Sequence, residues 1–130
     1  MKKVILITGA TSGIGYETAA YLANQGNIVY GAGRRVENLE GLKKVKPIQL
    51  DMTDESSMQL VVDTIIETEG RIDVLVNNAG YGSYGAIEDV TIEEAKQQFE
   101  VNVFGLARLT QLVLPHMSCL LYTSPSPRDR

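Results

Sequence analysis

The sequence predicts an α/β protein with a doubly wound parallel sheet and helices on both faces. Short apolar runs alternate along the chain with longer segments of helical periodicity, which is the pattern of parallel strands joined by helices. The first run, residues 4–7, is made only of valine, isoleucine and leucine, as is typical of a strand buried on both faces. Glycines separate this run from the first helical segment.

Each element follows from a local signal. The predicted strands are residues 4–7, 28–32, 47–50 and 72–76. A helix over residues 14–25 ends before Gly26, and a weak helix follows over residues 36–42. Thr53 is a cap, with Asp54 and Glu55 as two acids at the start of a helix that stops at Gly70. Thr91 with Glu94 forms a capping box for a long helix reaching about residue 115. The sheet is therefore expected to be truncated after its fourth strand and the long helix that follows.

Composition and charge narrow the classes of function. A chain of 130 residues with 44% hydrophobic and 22% charged residues can form one domain with a real core. The net charge of −4 comes from interspersed charges without a basic stripe, which argues against nucleic acid or an anionic membrane as partner. The apolar start is too short for a signal peptide, and no stretch approaches the ~18–20 residues of a membrane span. With Cys119 as the single cysteine, we expect a reducing, cytoplasmic location.

The loop after the first strand is a candidate phosphate site. Residues 8–15 are Thr-Gly-Ala-Thr-Ser-Gly-Ile-Gly, with G-x-x-x-G-x-G spacing in place of the commoner G-x-G-x-x-G. Between a buried strand and a helix, such glycines let backbone amides approach a pyrophosphate in a Rossmann-type fold. An ordinary glycine-rich turn is the alternative. The candidate ligands are Thr8, Gly9, Thr11, Ser12, Gly13, Ile14 and Gly15.

The end of the second strand suggests which dinucleotide binds. An acidic residue there would bind the ribose 2′-hydroxyl of NAD(H), whereas arginine accommodates the 2′-phosphate of NADP(H). This chain has Arg34 and Arg35 and no carboxylate, so NADP(H) is preferred over NAD(H). We expect Arg34 to be the phosphate ligand, with Arg35 stacking on adenine or idle. A pair of solvated loop arginines is the alternative.

With residues 8–15, Asp51, residues 77–80 and Asn102 in this order, the chain resembles the short-chain dehydrogenase/reductase family over residues 1–117. The resemblance implies that Asp51 and Met52 hold the adenine ring. It also implies that Asn78, Ala79 and Gly80 shape the sheet beside the cofactor and contact its ribose. Asn102 would be the asparagine of the family's catalytic tetrad, positioning a water in a proton relay.

Asn102 is also unusual by its place in the long helix. Five apolar residues lie within about 60° of it on a helical wheel: Ala95, Phe99, Leu106, Leu109 and Val113. An amide buried there without a partner would cost ~1–3 kcal/mol, so it needs partners or a purpose. A structural amide that holds neighbouring backbone is the alternative to the catalytic role.

The rest of the family's catalytic set is absent from this chain. In the family a tyrosine acts as general acid and base, a lysine four residues later lowers its pKa and binds the ribose, and a serine orients the substrate. No tyrosine of this chain is followed at that spacing by lysine. Residues 118–130 form a composition break with two prolines, and residues 119–129 resemble a translated sequencing-library adapter at every position. We interpret residues 1–117 as an incomplete NAD(P)-binding domain and residues 118–130 as a non-native tail; a natural disordered tail is the alternative.

The function predicted for the parent protein is hydride transfer between NADP(H) and a small carbonyl or alcohol substrate. A dinucleotide-binding regulator without turnover is the alternative on the same scaffold, and a sugar-nucleotide epimerase or dehydratase relative fits less well. We expect a homo-oligomeric parent and no metal site around His116. For Tyr81 and Tyr84 a place at the substrate entrance is one interpretation, and turn-forming residues with partly exposed rings are the favoured one. By itself, the 130-residue chain is expected to be insoluble or molten and to turn over no carbonyl.

Overall fold

A computed structural model of the chain describes residues 2–11, 13–39, 41–78 and 91–117. Its strands are β1 (Val4–Thr8), β2 (Ile28–Gly33), β3 (Val45–Gln49) and β4 (Val74–Asn77). Its helices are α1 (Gly13–Asn24), α2 (Glu55–Glu69) and α3 (Ile92–Val113), with short 3₁₀ turns at Val36–Leu39 and Leu114–His116. Strands and helices alternate, so the predicted α/β class is confirmed.

All four strands pair in parallel, in the order β3-β2-β1-β4. From β1 the chain adds β2 and β3 on one side and then crosses to place β4 on the other. The strand order therefore reverses between β1 and β4. In open α/β sheets, ligands bind at such a reversal, outside the carboxyl ends of the strands.

The sheet has a hydrophobic core on each face. One face packs against α2 and α3 and includes Val4 and Leu6 of β1. The other packs against α1 and the first 3₁₀ turn and includes Ile5 and Ile7. Because neighbouring side chains of a strand point to opposite faces, the uninterrupted apolar run of β1 covers both cores. The prediction of a strand buried on both faces is confirmed.

The third strand begins at Val45, two residues before the predicted residues 47–50, and contains Pro47. Proline has no N–H to donate to a neighbouring strand, so it is rare in strands that are paired on both sides. β3 is the outer strand on its side of the described sheet, paired only with β2. An outer position tolerates Pro47, so the strand extends further than the proline suggests.

The fourth strand begins at Val74, later than the predicted residues 72–76. Asp73, just before it, accepts a hydrogen bond from the Val4 N–H through its carboxylate at 2.8 Å and donates its own N–H to the Val4 carbonyl at 2.8 Å. The Asp73 carboxylate thus accepts the hydrogen bond that a backbone carbonyl of β4 would accept in a regular strand pair. Ile72 is fully buried all the same, which explains why its hydrophobicity suggested a strand.

Most helix ends lie where they are predicted, but the cap of α2 is Asp54 and not Thr53, which donates to Asp51 instead. Asp54 caps α2 by accepting from the Ser56 N–H at 2.9 Å, and Gly70 ends it with φ of 83°. Thr91 and Glu94 form the predicted capping box at the start of α3. The weak helix expected over residues 36–42 is a single 3₁₀ turn, too short to form regular α-helical bonds.

Candidate functional site

The loop after β1 turns at two glycines. Gly9 has φ of 65° and Gly13 φ of 59°, a left-handed conformation that glycine adopts without a steric penalty. The N–H of Ala10, fully buried, donates to the Ala32 carbonyl at 3.1 Å. The loop is thereby fixed on the end of β2. Ser12, a predicted ligand, lies outside the described residues.

The first turn of α1 packs directly against this loop. A Cβ built on Gly15 would collide with the Gly9 carbonyl oxygen and lie 3.1 Å from the Ala10 Cα, so only a hydrogen fits there. Ile14 lies in the same turn with its side chain 74% exposed. This turn carries no acidic side chain, which leaves the partial positive charge of the helix N-terminus available to a phosphate.

The carboxyl ends of β1 and β4 are joined by side chains. The Thr8 hydroxyl donates to Asn77 Oδ1 at 3.2 Å and accepts from the Asn78 N–H at 3.1 Å. Thr8 is fully buried and Asn77 is 7% exposed. The Nδ2 of Asn77 is buried and has no hydrogen-bond partner among the described residues. Thr8 and Asn78 therefore shape the point where the strand order reverses.

Arg34 and Arg35 follow β2 immediately, and both are exposed. Just before them, Gly33 lies against the phosphate loop, since a Cβ added there would be 2.5 Å from Thr11 Cγ2. The Gln49 side chain donates to the Arg34 carbonyl at 3.4 Å, holding the backbone of this segment. The two guanidinium groups thus belong to the strand end that borders the predicted phosphate loop.

Asp51 lies in the turn after β3. Its Oδ1 accepts from the Thr53 hydroxyl at 2.6 Å and the Thr53 N–H at 2.9 Å. These bonds, and to a smaller extent the charge of Arg34, hold the pKa of the Asp51 carboxyl below its usual value. Asp51 is therefore ionised at neutral pH, and it stands with Met52, a partly buried neighbour, at the same edge of the sheet as Arg34.

The structure brings most of the predicted site together. Thr8, Arg34, Asp51 and Asn78 each follow or end a parallel strand, so they share the carboxyl edge of the sheet. Asn102 lies on α3, but its side chain is outside the described part. Three further groups lie entirely outside the described residues: Ala79 and Gly80, Tyr81 and Tyr84, and residues 119–129.

The sequence interpretation missed the bond between Thr8 and Asn77. Thr8 was considered only as a possible ligand, and Asn77 as the residue that interrupts a strand. In the structure Asn77 is the last residue of β4, paired with Thr8 in the register of the two strands. The available signal was the position of each polar residue at the end of an apolar run, where burial requires a polar partner.

Within residues 2–11, 13–39, 41–78 and 91–117, no group of three or more histidine, cysteine or acidic side chains is placed to hold a metal ion. Over the same ranges, no helix is both long and apolar enough to cross a membrane.

The chain matches the family model for short chain dehydrogenase over residues 3–122. It is 45% identical over 115 residues to a 3-ketodihydrosphingosine reductase of Bacteroides thetaiotaomicron, a match covering 88% of this chain and 42% of the relative. The chain thus spans less than half the length of that relative.

Solved structures give the same result. A short-chain dehydrogenase from Streptomyces avermitilis superposes with a TM-score of 0.76 at 42% identity, covering 88% of this chain and 44% of the other. An alcohol dehydrogenase from the archaeon Thermococcus sibiricus, complexed with 5-hydroxy-NADP, superposes with a TM-score of 0.75 at 31% identity over 89% of this chain and 53% of the other. Both matches span about half of a longer protein.

Proposed function

The chain belongs to the short chain dehydrogenase family, and we propose that it is the NADP(H)-binding part of an oxidoreductase that interconverts a carbonyl and an alcohol. The cofactor assignment rests on one observation. At the end of β2, next to the loop that contains Thr11, the chain has Arg34 and Arg35 and no carboxylate. Arginine presents a planar fork of donors that suits a phosphate, and it is always charged.

In this proposal the loop between β1 and α1 binds the pyrophosphate. Gly9 and Gly13 turn the backbone, and Gly15 lets the helix start against the loop. Amide groups with the N-terminus of α1 then face the negative charge. Arg34 binds the 2′-phosphate, and Arg35 stacks on the adenine or remains in solvent.

The remaining predicted ligands would hold the nucleoside parts. Asp51 and Met52 border the adenine, as the family resemblance implies, and the ionised Asp51 carboxylate is fixed by Thr53. Asn78, Ala79 and Gly80 line the ribose. Support comes from the shared edge, since the described members of this set follow neighbouring strands of the sheet.

When bound, NADP(H) supplies or accepts the hydride. On this chain, Asn102 of α3 would position a water in the proton relay. The tyrosine, lysine and serine that complete the family's catalytic set would come from sequence downstream of residue 117. Relatives named a 3-ketodihydrosphingosine reductase and an alcohol dehydrogenase support carbonyl–alcohol chemistry over the regulator without turnover.

We also propose that residues 118–130 are a non-native tail on an incomplete domain. The native-length protein is then residues 1–117 followed by the uninterrupted downstream sequence of the same gene. The length of the relatives supports this, because the chain covers only 42% of the Bacteroides reductase. Reading the codons of residues 119–129 tests it, and any codon string other than the adapter's contradicts it.

The surface of α3 supports a homo-oligomeric parent. On α3, Phe104 is 71% exposed and Val103 is 44% exposed; Leu114, in the 3₁₀ turn that follows, is 49% exposed. Large apolar side chains of one helix left in water favour burial against another chain or against downstream sequence. Sedimentation of the native-length protein tests this, and a monomer at micromolar concentration contradicts it.

The cofactor proposal is tested by titrating the native-length protein with NADPH and NADH in a calorimeter. We expect tighter binding of NADPH, and we expect Arg34→Gln to weaken NADPH binding about tenfold while leaving NADH unchanged. Lys43→Gln is the matched control, because Lys43 is an exposed cation that precedes β3 at the opposite edge of the sheet. Equal or tighter binding of NADH by the wild type contradicts the proposal.

Turnover separates the enzyme from the regulator. With NADPH and a panel of carbonyl compounds that includes 3-ketodihydrosphingosine, the native-length protein is expected to oxidise the cofactor. Binding without oxidation across the panel favours the regulator.

A further inference from the structure

Gly105, in the interior of α3, packs directly on the turn that follows β3. It is buried, and a Cβ added to it would lie 2.5 Å from the Met52 carbonyl oxygen and 3.2 Å from the Met52 Cβ. Real Cβ atoms do not approach a backbone oxygen so closely, so an alanine here would push the turn or the helix away. Met52 is one of the two residues proposed to border the adenine.

Glycine is a poor choice for this position on helix grounds alone. Inside a helix it is less favourable than alanine by about 1 kcal/mol, and Gly105 stands well inside the 22 residues of α3. Its φ is not in the left-handed region, where glycine would be needed for its conformation. The close approach to Met52 is therefore the physical reason that the described structure offers for a glycine.

Neighbouring residues of α3 fix the helix against the same segment. Arg108, one turn after Gly105, pairs with Glu55 in the first turn of α2 at 2.7 Å. Leu109 is fully buried in the core cluster that also contains Leu50, the last residue before Asp51. The helix is therefore fixed at both ends of the turn, through the core cluster at Leu50 and the ion pair at Glu55, as well as at Met52 between them.

The turn itself is braced, so a displacement of Met52 would reach Asp51. The Asp51 N–H donates to Ser57 Oγ at 2.9 Å, and the Asp54 N–H donates to the Asp51 carbonyl at 3.1 Å. Thr53 donates twice to the Asp51 carboxylate. A turn with this many internal bonds moves as a unit.

From these contacts we infer that Gly105 is a positioning residue for the adenine end of the cofactor. It lets α3 set the place of the Asp51–Met52 backbone relative to the phosphate loop, without touching the nucleotide itself. The inference rests on the proposed function. It also gives α3 two roles, because Asn102, three residues earlier, is proposed to position a water near the nicotinamide end of the cofactor.

The test separates the two ends of the cofactor. The native-length protein and its Gly105→Ala variant are titrated in a calorimeter with adenosine 2′,5′-bisphosphate and, separately, with reduced nicotinamide mononucleotide, which lacks the adenosine. We expect about tenfold weaker binding of the bisphosphate by the variant and binding of the mononucleotide within about twofold of wild type. Gly41→Ala is the matched control, since a Cβ there meets nothing nearer than the Tyr16 hydroxyl at 3.6 Å.

Each result has one meaning. An unchanged bisphosphate affinity in Gly105→Ala, or an equal loss for both probes, overturns the positioning role while leaving the proposed function intact. A wild type that ignores the bisphosphate overturns the proposed function itself.

A second measurement on the wild type covers the case in which Gly105→Ala fails to fold. Adenosine 2′,5′-bisphosphate is expected to slow hydrogen exchange of the backbone over residues 103–108 about threefold, because ligand bound at the turn stabilises the helix packed on it. The backbone of residues 66–70, at the far end of α2, is the internal reference. Equal exchange over residues 103–108 with and without the ligand contradicts the inference.

Discussion

The two edges of the sheet use their polar groups in different ways. At the amino edge, side chains bind backbone groups that the strands leave open. Asp73 accepts from the Val4 N–H at 2.8 Å, and Asn27 accepts from the Lys3 N–H at 3.1 Å while donating to the Leu22 carbonyl at 3.0 Å. Each of these groups has its partner within the chain, so this edge contributes to stability.

At the carboxyl edge lie the groups that we propose to bind the dinucleotide. Gly9, Gly13 and Gly15 bring backbone and a helix N-terminus close together. Arg34 is exposed, and the part of the chain that the structure describes offers the buried Asn77 Nδ2 no hydrogen-bond partner. Since an unpartnered buried donor costs free energy, this edge gives up stability where the amino edge gains it. In the proposed function, the same strands therefore serve folding at one end and cofactor binding at the other.

The largest effect is expected from Gly15→Ala at the carboxyl edge. The added Cβ would collide with the Gly9 carbonyl oxygen, which displaces the first turn of α1 from the phosphate loop. We expect about 100-fold weaker NADPH binding by calorimetry, equivalent to about 2.7 kcal/mol. Gly41→Ala should bind as wild type. An affinity of Gly15→Ala within threefold of wild type would mean that the loop does not hold the cofactor.

Next in size is Asp73→Ala at the amino edge. The change leaves the Val4 N–H and the Arg71 Nε without the Asp73 carboxylate as acceptor, and the Asp73 side chain is only 7% exposed. We expect the free energy of unfolding of the native-length protein to fall by about 2–3 kcal/mol, measured by urea denaturation. The affinity of the folded variant for NADPH should stay at the wild-type value. A weakened affinity without a loss of stability would break the division between the two edges.

The dependence of the unfolding free energy on pH is expected to show a smaller effect, which comes from the Asp73 and Glu69 carboxylates. Burial alone would raise the pKa of Asp73, but the bonds from Val4 and Arg71 outweigh it and hold the pKa below its usual value. The Tyr30 hydroxyl, and after it Lys46, lowers the pKa of Glu69 against its burial.

Because both pKa values are lower in the folded state, the stabilisation is complete above the unfolded values of about 4 and is lost as pH falls through the folded values. Urea midpoints at pH 7 and pH 3 measure this. We expect a lower midpoint at pH 3 and a smaller difference between the two pH values in Asp73→Asn. The same pH dependence in Asp73→Asn and wild type would contradict the assignment to Asp73.

The smallest effect is expected from Lys46→Met. Lys46 is 52% exposed, pairs with Glu69 at 3.1 Å and lies 5.4 Å from the centre of the Tyr30 ring. Exposed ion pairs contribute little, so the unfolding free energy should change by less than about 0.5 kcal/mol. Tyr30→Phe, which removes a 2.7 Å bond from a buried hydroxyl to Glu69, should cost more. The reverse order would show that the ion pair, and not the hydroxyl bond, fixes Glu69.

Much of this fold follows from local pattern. The apolar run of β1, the Thr91 capping box and Gly70 at the end of α2 are each read from a few neighbouring residues, and the structure has them where they were predicted. The predicted boundaries are wrong where a contact with a residue distant in the sequence determines the local structure. Asp73 replaces a ladder acceptor for Val4, 69 residues away, and no local pattern indicates that contact.

The site divides in the same way. The glycines of the phosphate loop and the arginines after β2 are predictable, because their chemistry is carried by residue type and by position after a strand. The bond between Thr8 and Asn77 and the approach of Gly105 to Met52 depend on how β4 and α3 dock. Such contacts are set by tertiary packing, which the spacing of residues along the chain does not encode.

The most direct test is an NMR titration of the native-length protein with NADPH, recorded on assigned backbone amides. We expect large shifts for the amides of residues 9–15, 34–35 and 51–54, and small shifts for those of Lys3, Val4 and Asp73 on the opposite edge. Saturation by NADPH with shifts confined to the amino edge, or no shifts at residues 9–15, would contradict the proposed site.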